Sequence, residues 1–365
     1  MQKGIRLRIY PSREQQSLIH QTFGCTRLIY NRGLVMRQEA FEQGERIGYS
    51  ETSAMLTALK RTDDFAFLRA VDSIALQQVL RDLDRAYVNF FQKRADYPRF
   101  KSKRQPYQSY RTINQGGNIR IVGKRLKLPK LGLVKVKQSM DIGPIKSVTI
   151  QRTPTGKYFA VLTTPFEPDQ GVNLGGSIGI DVGLTHFYTD SNGHKVDNPR
   201  FLEKSLKKLA REQRRLSRKE KGSTNYRKQR QRVALIHEKV LNQRQDFLHK
   251  LSTTLVCENQ TICVEDLRVK NMVRNGKLAR HISGASWGTF LRMLEYKAAW
   301  YGNDFIRIPT FYPSSQTCSG CGTKNPLVKD LSVRRWACSD CGTSHDRDHN
   351  AAVNILTKGL QLLAA

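Results

Sequence analysis

No stretch of eighteen apolar residues occurs in the chain, and its opening Met-Gln-Lys-Gly-Ile-Arg carries no hydrophobic leader. A membrane-spanning or secreted protein is therefore not expected, and the reading is a soluble, intracellular one. Acidic residues are scarce: 31 Asp+Glu face 62 Lys+Arg, a formal net charge of +31. That surplus exceeds what solubility requires and makes a polyanion the default partner. Cysteine is too clustered for a disulfide framework. Of seven in the chain, four fall between 318 and 341, which in a reducing compartment points to metal. No internal repeat or low-complexity tract stands out. What remains is 365 residues, 39% hydrophobic, enough for two or more domains.

The positive charge is concentrated. Residues 101–150 carry twelve Lys+Arg against one acid and residues 201–250 sixteen against five, so two windows hold 22 of the 31 excess charges. Two separated basic segments suggest two walls of a channel that tracks phosphate backbones. Ile5, Leu7 and Ile9 alternate with Arg6 and Arg8 as a strand, and Pro11, Ser12 and Gln15 form a helix-start signature. Residues 12 to about 93 then read as mainly helical, broken near Gly44 to Tyr49. From about 105 the pairs Ile119/Ile121, Leu126/Leu128, Val134/Val136 and Val148/Ile150, with the run Tyr158 to Leu162, have strand periodicity. They predict a small β-barrel or sandwich completed by the N-terminal strand, with the helices inserted into it. Pro165 to Gly176 reads as a linker.

A second lobe opens with short strands at Ser177 to Leu184 and His186 to Thr189 and an Asn192-Gly193 turn. Leu202, Leu206, Leu209 and Leu216 form a narrow apolar seam on a basic helix, and Val233, Ile236, Val240, Phe247, Leu251 and Leu255 continue it in a second. Residues 200–256 are thus a basic helical hairpin, on which Lys207, Lys208, Arg211, Arg214, Arg215 and Arg218 are expected to meet nucleic acid. A strand at Thr261 to Val264, a helix near Trp287 to Trp300 and a last helix from about Asn350 complete the reading.

Cys318-Ser-Gly-Cys321 and Cys338-Ser-Asp-Cys341, sixteen residues apart, are the two knuckles of a zinc ribbon. With all four positions thiolate, the predicted Zn²⁺ is structural. Cys25, Cys257 and Cys263 are expected in the core. Three carboxylates carry the chemistry: Asp181 on a short strand, Glu265 closing another, and Asp348 (or Asp346) opening the final helix. Each has a plain alternative, as strand end or helix cap, yet together they suit one face of an RNase H-like sheet. Acids gathered at one point need divalent cations to neutralise them, and Mg²⁺, or Mn²⁺, held this way organises phosphodiester cleavage. His345 and His349 flank the third acid, with an acid-base role left open.

These residues resemble the TnpB (OrfB) family of insertion-sequence transposons, relatives of type V CRISPR effector nucleases. The resemblance runs over nearly the whole chain, through Tyr30-Asn31, Tyr97-Pro98-Arg99-Phe100-Lys101, Gly179-Ile180-Asp181-Val182-Gly183, Arg244-Gln245-Asp246-Phe247-Leu248-His249-Lys250-Leu251, Val264-Glu265-Asp266-Leu267, Tyr312-Pro313-Ser314-Ser315-Gln316, the four cysteines and Asp346-Arg347-Asp348. It implies an α+β multidomain fold: a wedge β-barrel (1–10 and 105–170) with an inserted helical recognition domain (11–104), and a split RuvC domain (171–311 and 345–365) carrying the zinc ribbon (312–344). It implies an RNA-guided DNA endonuclease with its centre at Asp181, Glu265 and Asp348. The partners would be a guide RNA from the transposon end and double-stranded DNA bearing an adjacent motif, bound without a membrane, by a monomer in a prokaryotic cytoplasm. Family members read that motif at positions mapping to Tyr49, Ser53 and Gln77 with neighbours Ser73 and Ile74. The competing readings are a guide-dependent DNA-binding regulator that does not cut and a transposase accessory protein.

Overall fold

Alternation of Ile5, Leu7 and Ile9 makes β1 (Gln2–Tyr10), and the chain leaves it through Ser12. Ser12 caps α1 (Arg13–Glu42) in a capping box, its side chain accepting from Gln15 N at 3.2 Å while Gln15 Oε1 accepts from Ser12 N at 3.0 Å. α2 (Tyr49–Leu59) and α3 (Ser73–Phe91) follow. The chain then forms β2 (Gln108–Ile113), β3 (Arg120–Val122), β4 (Arg125–Leu128), β5 (Gly132–Lys137), β6 (Ser147–Arg152) and β7 (Tyr158–Pro165). The computed structural model describes residues 1–137, 142–168, 175–276 and 278–365, in two units, Met1–Phe166 and Glu167–Ala365. Of the predicted linker, Pro165 to Gly176, residues 169–174 lie outside those described.

In the first unit the strands order as β2-β6-β7-β1-β5-β4-β3, all antiparallel, with β1 held between β7 and β5. Leu7, Ile9, Val134, Val148, Ile150, Ala160 and Leu162 line one face and meet Ile19 and Phe23 of α1. The helices share a second core of Ile29, Leu34, Leu56, Leu76 and Leu80. The expected barrel is present as a half-barrel sheet, in which no ladder joins β2 to β3 among the described residues. Asn114 takes over the backbone groups at the gap, donating to Ile119 O at 2.9 Å and Ile145 O at 2.8 Å and accepting from Ile119 N at 2.9 Å.

The second unit is built on β8 (Ser177–Val182), β9 (His186–Asp190) and β10 (Lys195–Asp197), then the hairpin α4 (Phe201–Ser217) and α5 (Thr224–Glu258). β11 (Thr261–Glu265), α6 (Val269–Met272), α7 (Ala279–Ala285), α8 (Trp287–Tyr301) and β12 (Asp304–Ile308) come next. A small ribbon, β13 (Arg335–Ala337) and β14 (Ser344–Asp346), leads directly into α9 (Arg347–Ala364). The sheet order is β10-β9-β8-β11-β12, with β8, β11 and β12 mutually parallel and β9 and β10 antiparallel. α5 and α8 cover one face through Leu248, Leu255, Phe290 and Leu294.

Helix α9 covers the other face at very short range, and two glycines permit it. A Cβ on Gly179 of β8 would sit 2.1 Å from Ala352 O, and one on Gly359 of α9 would sit 2.2 Å from Cys263 Sγ. Cys263 is therefore a core residue, as is Cys25, whereas Cys257 is exposed and its expected core place is wrong: it falls near the end of α5, on the solvent side. Among the described residues no helix is long and apolar enough to cross a membrane.

Candidate active site

The strand pleat decides where the acids point. Side chains alternate along a strand, so Asp181 shares the face of Gly179, and Glu265 shares the face of Cys263; both faces are those under α9. β8 and β11 are parallel neighbours with Ile180 paired to Val264, which brings Asp181 and Glu265 out side by side at the carboxyl ends of adjacent strands. Ligand sites in sheets of parallel strands form at such ends. Asp348, second residue of α9, supplies the third carboxylate from the helix start.

The electrostatics agree with convergence. Burial pushes the Asp181 carboxyl well above the ordinary carboxylate range, and the charges of Glu265 and Asp348 push it the same way, while Arg347 and Arg334 oppose them. Burial also raises Glu265, against a hydrogen bond donated by Ser314 Oγ to its Oε1. Arg334 Nη1 lies 3.3 Å from Asp348 Oδ1. Such an acid set, with Asp181 and Glu265 desolvated and Asp181 repelled by the other two, has the donor chemistry of a site for hard divalent cations. Asp346 is engaged otherwise: it caps α9 by accepting from His349 N at 3.1 Å and pairs with Lys195 Nζ at 2.7 Å.

Several residues around this centre escaped the sequence reading. Ser314 is buried, and its carbonyl accepts from Asn354 Nδ2 at 2.8 Å and Asn350 Nδ2 at 3.4 Å; both side chains also reach Thr317 O. Asn350 Oδ1 in turn accepts from Ser319 N at 2.9 Å. One turn of α9 thus pins the segment that both orients Glu265 and begins the ribbon. The signal in the sequence is the pair Asn350 and Asn354 at helical spacing on one face, together with the Tyr312-Pro313-Ser314-Ser315-Gln316 string.

The four cysteines are brought together as predicted. Each knuckle repeats one backbone pattern: Cys318 N donates to Thr323 O at 2.8 Å and Cys338 N to Thr343 O at 2.9 Å. The sulfurs all lie within 4.8 Å of one another, with Cys318–Cys341 and Cys321–Cys338 each at 3.6 Å. A tetrahedron of thiolates around Zn²⁺ has edges of about 3.8 Å, so the residues fit that ion. The Thr343 hydroxyl, 3.2 Å from Cys341 Sγ, helps hold that thiol down at about 6. His345 Nε2 lies 3.0 Å from Cys318 Sγ with its ring against Trp336, and His349 Nε2 meets Ser191 O at 3.2 Å, so both histidines are engaged with neighbours other than the three acids.

The remaining expected residues sit on helix surfaces. Tyr49 and Ser53 occupy one side of α2; Ser73, Ile74 and Gln77 occupy the first turns of α3, where Arg81 lies 4.6 Å over the Tyr49 ring. Ser73 Oγ accepts from Lys60 Nζ at 3.1 Å. Lys207, Lys208, Arg211, Arg214 and Arg215 on α4, and Arg218 just past its end, are all exposed. Arg215 and Arg211 also approach buried Glu212, at 2.9 and 3.5 Å, and Glu212 is locked to α5 by Gln229 Nε2 at 2.7 Å. Arg232 and Lys239 of α5, missed in the sequence, line the same trough of about 620 Å³ with Lys204, Lys208 and Arg215.

The fold and the clustered side chains define a class: a two-unit mixed α/β protein with an acidic centre at parallel strand ends and a four-thiol ribbon beside it. Comparison with known proteins makes this specific. Residues 161–276 match the OrfB family described as "Probable transposase", residues 287–355 a Cas12f1-like TNB domain and residues 1–46 a helix-turn-helix domain of the same OrfB group. The chain is 42% identical to a Streptomyces pristinaespiralis protein named "Putative RNA-guided DNA endonuclease", over 99% of this chain and 90% of that one. It is 33% identical to the Escherichia coli K12 protein of that description called InsQ, over 99% and 93%. A solved structure, the Cas12f1-sgRNA-target DNA complex, superposes with a TM-score of 0.62 at 14% identity, covering 97% of this chain and 98% of that one, which shows a shared fold. The chain belongs to the TnpB (OrfB) family.

Proposed function

We propose that the chain is an RNA-guided DNA endonuclease of a transposon, in which Asp181, Glu265 and Asp348 form a RuvC-type centre. The carrying observation is that acids from β11 and α9 lie close enough to the β8 carboxylate of Asp181 to raise it further than burial alone does, inside a family whose close relatives bear that name. Asp181, Glu265 and Asp348 would hold divalent cations, Mg²⁺ or Mn²⁺, which when bound supply Lewis acidity for hydrolysing a phosphodiester. The protein's own part is to keep the carboxylates desolvated and fixed. Ser314 orients Glu265, the short α9–β8 approach fixes Asp348 against Asp181, and Arg334 and Arg347 add positive charge where a phosphate would enter. The four cysteines would hold structural Zn²⁺ and so brace the start of α9.

In this reading residues 1–10 and 105–170 are the wedge, 11–104 the recognition helices, 171–311 with 345–365 the split RuvC domain and 312–344 the ribbon. Tyr49, Ser53, Ser73, Ile74 and Gln77 read the adjacent motif, and the α4 cations hold the guide RNA or its hybrid by charge. The partners are a transposon-end guide RNA and a DNA target, bound by one copy of the chain in a prokaryotic cytoplasm.

The test is to sequence RNA that co-purifies, program the protein with it and assay cleavage. Asp181→Ala, Glu265→Ala and Asp348→Ala should each abolish cutting, with RNA and target binding retained. Target binding without cleavage by the unaltered protein would make it a guide-dependent regulator instead.

A further inference from the structure

Phe311 is 85% exposed, more than any other large hydrophobic side chain among the described residues. Its position is fixed from both sides. One residue before it, Thr310 Oγ1 donates to Asp266 Oδ2 at 3.2 Å; one residue after, Tyr312 packs with Cys263, Ile308 and Ile355. Three residues on, Ser314 donates to Glu265. Ile308 is the strand partner of Glu265, so Phe311, three residues further, has its Cα within about 11 Å of Ile308 Cα. An exposed phenyl ring is thus held on a pinned segment, three residues from the strand partner of Glu265. The guanidinium of Arg268 lies 5.7 Å from the ring centroid, and Arg268 has no carboxylate partner among the described residues.

An outward aromatic ring with an unpaired cation next to it matches one chemistry closely: an unstacked nucleobase and its phosphate. A base within a duplex cannot use such a ring, because its faces are covered by its neighbours. Resting on the nuclease reading above, we propose that Phe311 and Arg268 form a stacking shelf for one unpaired base of the DNA strand being cut, about one to three nucleotides from the bond at the carboxylates. The shelf fixes the strand's approach, so it is a binding element for the substrate and is indifferent to which base it carries.

The experiment uses the full chain with its guide RNA and targets in which nucleotides near the cut are replaced one at a time by an abasic residue. For the unaltered protein, one abasic position should slow single-turnover cleavage by about tenfold, within the range of a single base–aromatic stack. Phe311→Ala should slow the intact target similarly and lose the sensitivity at that position, while Phe311→Trp should keep both. A second reading needs no cutting: 2-aminopurine at that position, with divalent metal chelated, should change fluorescence on the unaltered complex and not on Phe311→Ala. Cleavage with equal abasic profiles in both proteins, or full activity in Phe311→Leu, overturns the shelf. A fluorescence response without any cleavage would keep the shelf and overturn the nuclease reading.

Discussion

Ser314 donates its hydroxyl hydrogen to Glu265 while its own carbonyl is held by Asn354 Nδ2 at 2.8 Å, so one residue links the last helix to a carboxylate 49 positions earlier. The bond favours the ionised form of Glu265 against the burial that disfavours it. Ser314→Ala should leave Glu265 less well aimed and raise the Mg²⁺ or Mn²⁺ concentration needed for half-maximal cleavage by roughly 10–100-fold, the usual cost of losing an outer-shell partner. Ser314→Thr, which retains the hydroxyl, should recover most of the loss. Equal metal demand in all three proteins would show that Ser314 serves the loop alone.

Gly179→Ala would place a methyl 2.1 Å from Ala352 O, which is backbone and cannot swing aside. The expected outcome is a loss of about 3 kcal/mol or more, at or beyond the top of the usual overpacking range, with a lower melting midpoint and cleavage lost as α9 shifts from Asp181. Gly4→Ala is the control: its Cβ would meet Val161 at 3.8 Å, an ordinary approach, and stability should stay within about 1 kcal/mol. Denaturant melts of the three proteins decide the matter.

Removing the thiolates should act on the acids through the chain. Trp336 pairs with His345 across the ribbon, Arg335 with Asp346, and Arg347 N donates to Arg334 O at 2.9 Å, so the ribbon and the first turn of α9 are one hydrogen-bonded piece. Cys338→Ser or Cys341→Ser should lose zinc and lower single-turnover cleavage about a hundredfold or more, with guide RNA still bound. A drop in target affinity with cleavage intact at saturating protein would mark the ribbon as a separate binding knob.

Lys207, Lys208, Arg214 and Arg218 face solvent without a carboxylate partner among the described residues, unlike Arg211 and Arg215. Neutralising those four should flatten the salt dependence of nucleic-acid binding, by up to about 0.9 in slope for each phosphate that is no longer neutralised, and leave stability nearly unchanged. Arg211→Gln with Arg215→Gln should in addition destabilise the hairpin, because buried Glu212 loses both cations. Binding measured from low to high salt, alongside thermal melts, separates the two effects.

Lys297 is buried and its ammonium donates to His249 O at 2.8 Å, Ser252 Oγ at 2.8 Å and Thr253 Oγ1 at 2.6 Å, all neutral acceptors. Desolvation lowers it to about 8. Between pH 8 and the unfolded value near 10.5 the unfolded chain keeps a proton that the folded chain has released, so stability gains from this group as pH rises through that window. Cys263, raised to about 11 by burial, works the opposite way over part of it. The difference between the unaltered protein and Lys297→Met isolates the lysine: the former's stability should rise relative to the latter's from about pH 8 to 10. A constant difference would show that Lys297 keeps its ordinary affinity for protons.

Strand alternation and helix spacing were legible for β1, β4 to β7, α1, α3 to α5 and α8, because each buries one face and the period survives in the sequence, whereas β8, β9 and β11, buried on both faces, were legible as short apolar runs. β12 was not, since Asp304–Ile308 is mostly half-buried at the sheet edge and carries Arg307 among its apolar residues. The gap between β2 and β3 was hidden for a different reason: Asn114 bonds there to two carbonyls, one of them 31 residues away. For the candidate site, the acids and thiols stood out by residue type and spacing. Ser314, Asn350 and Asn354 did not, because their roles consist of hydrogen bonds to backbone atoms that only the folded chain brings near.

The three acids are each separated by more than eighty residues along the chain. On the function proposed here, this spacing governs birth as well as chemistry. A ribosome making the protein from its first residue releases β8, then β11, and supplies Asp348 only with α9. A nascent chain that has passed α5 and not yet reached α9 has the basic helices needed to seize nucleic acid and lacks the means to sever it, so the cell is exposed to a cutting enzyme only when synthesis has passed the ribbon.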